Sequence, residues 1–155
     1  FGIILDYAHT PDSLKNALST VRGFAPGRVV TIIGCGGNRD TTKRPIMGQI
    51  AGEYSDFTVL TSDNPRFEEP AEIIDQIEEG MKESEGEYKR IEDRREAIKW
   101  AIKNAQPKDI ILLAGKGHED YQEIKGVKHD FDEKVVVEDI LNELGFANNE
   151  EDEKE

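Results

Sequence analysis

The sequence has 155 residues, room for one domain with a sizeable core; 36% are hydrophobic and 34% charged, the balance of a soluble globular protein. A net charge of −13 argues against a nucleic-acid or anionic-membrane surface, so any anionic ligand must be held by a local cluster of cations. No apolar run approaches the ~20 residues of a membrane helix, no secretory signal is visible, and a single Cys35 leaves no internal disulfide, so reducing cytoplasm is the expected compartment.

The chain starts on Phe1 rather than Met and leads straight into an apolar stretch, 1–5, that reads as a strand; this suggests a piece of a longer chain with an N-terminal part missing. Thr10 can cap a helix whose first position is Pro11. Leu14, Ala17, Leu18 and Val21 follow at helical spacing, and Gly23, Pro26 and Gly27 end it. A second strand, 28–33, leads into the glycine-rich loop 34–40. Thr41 and Thr42 are candidate caps for a helix with Met47, Ile50, Ala51 and Tyr54 inward. A third strand, 57–61, is apolar and β-branched, and Ser62-Asp63-Asn64-Pro65 stops it abruptly. Pro70 opens a helix with Ile73, Ile74 and Ile77. After a charged loop, 83–87, comes a short fourth strand, 88–91. Asp93 and Glu96 have capping-box spacing before a helix with Ala97, Ile98, Ala101, Ile102 and Ala105 inward. The fifth strand, 109–114, reads as buried on both faces. A hairpin, 121–124 with 127–130 around Lys125-Gly126, precedes a last helix capped by Asp132 and stopped by Gly145.

Strands and helices alternate at βαβ spacing. The fold class expected is α/β, a mostly parallel Rossmann-like sheet with helices on both faces and an antiparallel edge hairpin. The domain spans 1–146, and 147–155 reads as an acidic disordered tail. In such a sheet the strand-to-helix loops gather on one rim, where ligands bind. Here they are 6–12, 34–40, 62–66 and 115–120, rich in Gly, His, Asp, Asn and Arg. Arg66, held by the Pro65 turn, suits planar recognition of a carboxylate or phosphate. Gly34-Cys35-Gly36-Gly37 lets a ligand approach the backbone, yet it is neither a Walker A loop nor a dinucleotide fingerprint. Lys116 reads as a phosphate contact or a solvated charge. No pair among His9, His118, His129 and Cys35 has zinc-ligand spacing, so no metal is expected on this chain alone. Cys35 has no evident base partner, and Tyr7, Tyr88 and Trp100 read as packing residues.

Taken in order, Asp6-Tyr7-Ala8-His9-Thr10-Pro11-Asp12, Gly34-Cys35-Gly36-Gly37-Asn38-Arg39-Asp40, Asp63-Asn64-Pro65-Arg66 and Gly115-Lys116-Gly117-His118-Glu119 resemble the C-terminal domain of the Mur ligases. Within that family they are most similar to the branch that adds meso-diaminopimelate. The resemblance covers nearly the whole chain except the tail; Asn38 departs from the Asp common in that branch. It implies an ATP-dependent amide ligase of peptidoglycan precursor synthesis. In that family a first domain holds the UDP-sugar, a central domain carries the P-loop and the Mg²⁺ ligands, and a third takes the amino acid. This chain matches only the third, so no catalytic residue is expected in it and it should be inactive alone. Its implied partners are meso-diaminopimelate, the UDP-muramoyl dipeptide, ATP, and the N-terminal and central domains of the same chain. Residue by residue, Arg39 and Arg66 would bind the carboxylates of diaminopimelate, and Asp63 and Asn64, turned by Pro65, would fix the loop and the ligand's polar groups. The Gly115 carbonyl and Glu119 would take the distal ammonium, and Asp6 and His9 would meet the ATP.

Two other readings share these features: a folylpolyglutamate synthetase-type ligase domain, which the Asp63–Arg66 loop argues against, and a non-catalytic metabolite-binding regulatory module, which fold alone does not separate from a ligase.

Overall fold

The computed structural model describes residues 1–38, 40–116 and 119–146, so Arg39, Gly117, His118 and the acidic tail over 147–155 lie outside the described residues. Five strands, β1 (Gly2–Asp6), β2 (Val29–Ile33), β3 (Phe57–Leu60), β4 (Glu87–Arg90) and β5 (Ile110–Ala114), form one sheet. All its pairings are parallel, in the order β1-β5-β2-β3-β4. The interior strands β5 and β2 are the most apolar, as strands covered on both faces must be. Successive side chains go to opposite cores. Val29, Ile33, Leu60 and Leu112 join one cluster with Leu14, Leu18, Met47 and Ile77. Val30, Ile32, Val59, Ile111 and Leu113 join the other with Ala97, Ile98, Ile102 and Ile140. Helices α1 (Pro11–Phe24), α2 (Lys43–Tyr54) and α3 (Pro70–Glu83) therefore cover one face, and α4 (Arg94–Lys103) and α5 (Glu133–Glu143) the other. No helix among the described residues is long and apolar enough to cross a membrane.

Local signals explain most boundaries. Thr10 accepts the Ser13 amide and Ser13 answers on the Thr10 amide, a reciprocal cap, with Pro11 at the first position. Asp93 and Asp132 cap α4 and α5 through the amides of Glu96 and Lys134. At α2 the expectation fails: Thr42 occupies the cap position with helical angles and no capping bond. Asp40 does the local work instead, its Oδ1 accepting both the amide (3.0 Å) and the hydroxyl (2.6 Å) of Thr42. The fourth strand begins at Glu87, one residue before the expected start.

The hairpin of β6 (Tyr121–Ile124) and β7 (Val127–Asp130) is present, turned by Lys125 and Gly126, both at positive φ. It forms its own two-stranded sheet. An isolated parallel bridge between Arg66 and Ile124 seats it on the rim, next to the loop that follows β3.

The strand order explains where a cleft forms. The loops after β1, β2 and β3 lead to helices on one face, whereas β5, lying between β1 and β2, leads toward the opposite face. Chains diverging from adjacent strands leave a crevice at their carboxyl ends.

Candidate functional site

That crevice is a cleft of about 210 Å³. The loop after β1 contributes Tyr7 and His9, the loop after β2 Gly34, Cys35 and Gly36, the loop after β3 Asp63, Asn64 and Arg66, and the segment after β5 Gly115, Glu119 and Tyr121; Lys43 adds a cation from the start of α2.

Arg66 is the most constrained of these. Its φ of 53° lies in the left-handed region, which costs a non-glycine residue on the order of 1–3 kcal/mol unless the surroundings impose it. Here they do. Its amide donates to the Glu123 carbonyl (2.9 Å) and its carbonyl accepts from Lys125 (2.5 Å), so the hairpin clamps its backbone. The guanidinium donates through Nη1 to the Gly37 carbonyl at 2.9 Å, and Nε stands 3.7 Å from the Glu123 carboxylate. Nη1 also donates to the Asn64 carbonyl at 3.4 Å; Nη2 makes no hydrogen bond among the described residues and remains for a ligand anion. Gly37 must be glycine for this arrangement, because a Cβ there would stand 1.8 Å from the Pro65 carbonyl oxygen. Its amide donates to the Asn64 carbonyl at 2.7 Å. The glycine-rich loop thus locks onto the Arg66 loop, and of its described residues Gly34, Cys35 and Gly36 reach the cleft.

Lys116 overturns the expectation of a solvated or phosphate-facing charge. It is fully buried under the cleft. Its Nζ donates to Asn64 Oδ1 (3.1 Å) and the Tyr121 carbonyl (2.5 Å), and lies 3.2 Å from Asp63 Oδ1 as an ion pair. Asn64 Oδ1 also accepts the Glu123 amide at 2.8 Å, and the Asp63 carbonyl accepts from Gln122 at 2.7 Å. Asp63 and Asn64 therefore hold the hairpin to the rim as well as lining the cleft. Gly115, at φ 111°, turns the chain from β5 into this knot.

The first loop is ordered by Asp6, whose Oδ1 accepts the Ala8 amide at 2.8 Å. His9 is exposed, its ring 4.8 Å from that of Tyr7, and Lys43 Nζ donates to its carbonyl at 3.0 Å. Tyr7 is 45% exposed on the cleft, not packed inside as expected. Tyr88 and Trp100 do pack, Trp100 stacking on Phe57 at 5.3 Å. Burial pushes the Cys35 thiol up to about 12, so it stays protonated at neutral pH, and its Sγ rests 3.8 Å from the Met47 sulfur.

Of the residues singled out from sequence, His9, Asp63, Asn64, Arg66, Gly115 and Glu119 meet at one cleft. Asp6 stands behind it as a turn residue, and Pro65 faces a separate hollow with Arg94 and Gln122. Arg39 lies outside the described residues. Lys43 and Tyr121 were missed. Lys43 opens a helix in the turn after the glycine-rich loop, a position that could have flagged it; nothing local marks Tyr121. Among the described residues no three His, Cys, Asp or Glu side chains are grouped as a metal ion would require.

Fold and cleft together define a class: an open-sheet α/β domain whose polar cleft, with a guanidinium and a carboxylate on it, lies at the carboxyl rim. The chain belongs to the Mur ligase family: the family model described as "Mur ligase, glutamate ligase domain" matches residues 1–117. It is similar to the UDP-N-acetylmuramoyl-L-alanyl-D-glutamate--2,6-diaminopimelate ligase of Caldanaerobacter subterraneus subsp. tengcongensis, at 53% identity over 143 residues, 92% of this chain and 30% of that protein. The protein of the same name from Alkaliphilus oremlandii is 54% identical over 145 residues, 94% of this chain and 30% of that protein. A solved structure of a UDP-N-acetylmuramoyl-L-alanyl-D-glutamate--2,6-diaminopimelate ligase matches with a TM-score of 0.87 and 44% identity, over 92% of this chain and 29% of that one. The chain spans about 30% of the length of the curated relatives it matches.

Proposed function

We propose that this chain is the amino-acid-binding domain of an ATP-dependent ligase that adds meso-diaminopimelate to UDP-N-acetylmuramoyl-L-alanyl-D-glutamate in peptidoglycan precursor synthesis. The observation that carries the reading is Arg66 and Glu119 on one cleft. Diaminopimelate has a carboxylate and an ammonium at each end, and a site for its distal end needs a guanidinium beside a carboxylate. Arg66 meets the distal carboxylate, joined by Arg39 for a second carboxylate. Glu119 and the Gly115 carbonyl take the distal ammonium, and the Asp63-Asn64-Pro65 turn holds the ligand's polar groups in register. This leaves the other amino group to attack the dipeptide carboxylate once ATP has activated it as an acyl phosphate; phosphate then leaves. The sequence has no P-loop, so the nucleotide is held mainly by the rest of the full-length chain. Asp6 and His9, with Lys43 beside them, approach it from this side. The described residues offer no cluster for Mg²⁺, which the rest of the full-length chain would hold. The enzyme would work in the cytoplasm.

The test is the full-length chain supplied with ATP, the UDP-muramoyl dipeptide and diaminopimelate. It should form the amide, and Glu119→Gln should raise the KM for diaminopimelate by about one to two decades, the worth of a charge-assisted hydrogen bond of roughly 1.5–3 kcal/mol. The melting temperature should hold. A lower melting temperature with an unchanged KM would make Glu119 structural, tied to Tyr121 (3.4 Å) rather than to substrate.

A further inference from the structure

We propose that Lys116 is a positioning residue that sets the charge of the amino-acid cleft. Its buried ammonium takes Asp63 out of the ligand's charge balance and clamps the side-chain oxygen of Asn64, so that Glu119 is the carboxylate left for a ligand ammonium. This rests on the reading of the cleft as a diaminopimelate site.

The geometry is specific. Lys116 is 0% exposed, and its Nζ makes two hydrogen bonds, to Asn64 Oδ1 and the Tyr121 carbonyl. Its third proton has Asp63 Oδ1 as its nearest charged acceptor at 3.2 Å, while Glu119 Oε1 stands farther off at 3.9 Å. Asp63 Oδ1 is itself buried and has no hydrogen bond of its own, so the ion pair with Lys116 is what compensates it. The Tyr121 and Phe131 rings, at 5.7 and 5.9 Å from Nζ, close the cation off from water. Asp63, Glu119, Gly115 and Arg66 share one cleft, so a charge change beneath Asp63 is felt by whatever lies in it. The field there is weakly screened.

Lysine lacks the distal carboxylate and is one unit more positive than diaminopimelate. Removing the Lys116 charge should therefore favour lysine, and removing the Asp63 charge should disfavour it. In the full-length chain, the ratio of kcat/KM for meso-diaminopimelate to that for L-lysine is measured in wild type, Lys116→Met, Asp63→Asn and the double variant. The ratio reports the site and is indifferent to the fraction of protein that folds. Lys116→Met should lower it by about tenfold or more, Asp63→Asn should leave it level or raise it, and the double variant, which carries no unpaired charge, should return it to within about threefold of wild type. If Lys116→Met yields no folded protein, Lys116→Gln, which keeps a donor but not the charge, is measured in its place with the same expected fall; a double-variant ratio that stays about tenfold low, or an Asp63→Asn ratio that falls to the same degree, overturns the role. An unchanged ratio in all three variants also overturns it. A wild-type chain that ligates neither amino acid overturns the functional reading, and this role with it.

Discussion

Among the described residues, Arg44, Arg94 and Lys116 are cations fully buried just beneath the rim. Each is paired with a carboxylate and each also donates to at least one backbone carbonyl. Arg44 forks onto Glu68 (3.0 and 2.8 Å) and donates to the Gly36 carbonyl. Arg94 pairs with the buried Glu133 at 2.7 Å and donates to the carbonyls of Ser62 and Ala114, tying the ends of β3 and β5 to the start of α5. None of this was legible in the sequence, where Arg44 and Arg94, cations at helix starts, read as solvated and Lys116 as a phosphate contact or a solvated charge. The partners lie 24 residues away for Arg44 and 39 for Arg94, beyond any local pattern. Asp109, at the opposite rim, gives the clearest single-residue prediction. Burial pushes its carboxyl up, but the Arg28 fork (3.1 and 2.7 Å) and the Gln106 amide outweigh that and hold it below the usual carboxylate range. A depressed carboxyl contributes stability that is full above its unfolded value, about pH 4, and is lost as pH falls through the folded value. Asp109→Asn should lower the melting temperature at neutral pH and flatten its fall below about pH 4, measured by thermal melts of the 155-residue chain. An acid limb parallel to that of wild type would show that the pair carries no pH-linked stability.

Helices α2 and α3 pack unusually close, and glycine is the reason. A Cβ on Gly80 would stand 1.6 Å from the Pro45 carbonyl oxygen. Alanine is the better helix former by about 1 kcal/mol, but forcing the helices apart costs about 1–3 kcal/mol or more. Gly80→Ala should therefore destabilise, while Gly23→Ala in α1, whose Cβ would meet nothing within 4 Å, should be neutral or stabilising. Equal melting temperatures for the two variants would contradict the packing argument. Elements with strong local signals were readable: the Thr10 cap, the runs of β2 and β5, the Lys125-Gly126 hairpin. The Asp40 turn before α2 was not, because a Thr-Thr pair is an equally good cap on paper and only the backbone angles decide. Nor was the seat of the hairpin, which depends on Asp63, Asn64 and the bridge to Arg66, 58 residues earlier than Ile124 in the chain.

At the scale of the whole molecule, the order β1-β5-β2-β3-β4 gathers four loops from distant parts of the sequence into one cleft. Alternation of strands and helices predicts that these loops share a rim. It does not predict that β5 returns to lie between β1 and β2, which is what opens the crevice. Arg66 is aimed into that crevice by a backbone the hairpin holds in a left-handed turn. Under the proposed function, this guanidinium selects an amino acid bearing a distal carboxylate. A site built to pair a polar group rejects the analogue lacking it by as much as about 10⁴ when fully desolvated; with Arg66 16% exposed the effect should be smaller. The most direct measurement is kcat/KM for diaminopimelate and for lysine in the full-length chain, wild type against Arg66→Ala. A steep rise in the diaminopimelate KM and a narrowed preference over lysine are expected, with Arg66→Lys failing to restore it because an ammonium cannot make the fork. A preference unchanged in Arg66→Ala would contradict it.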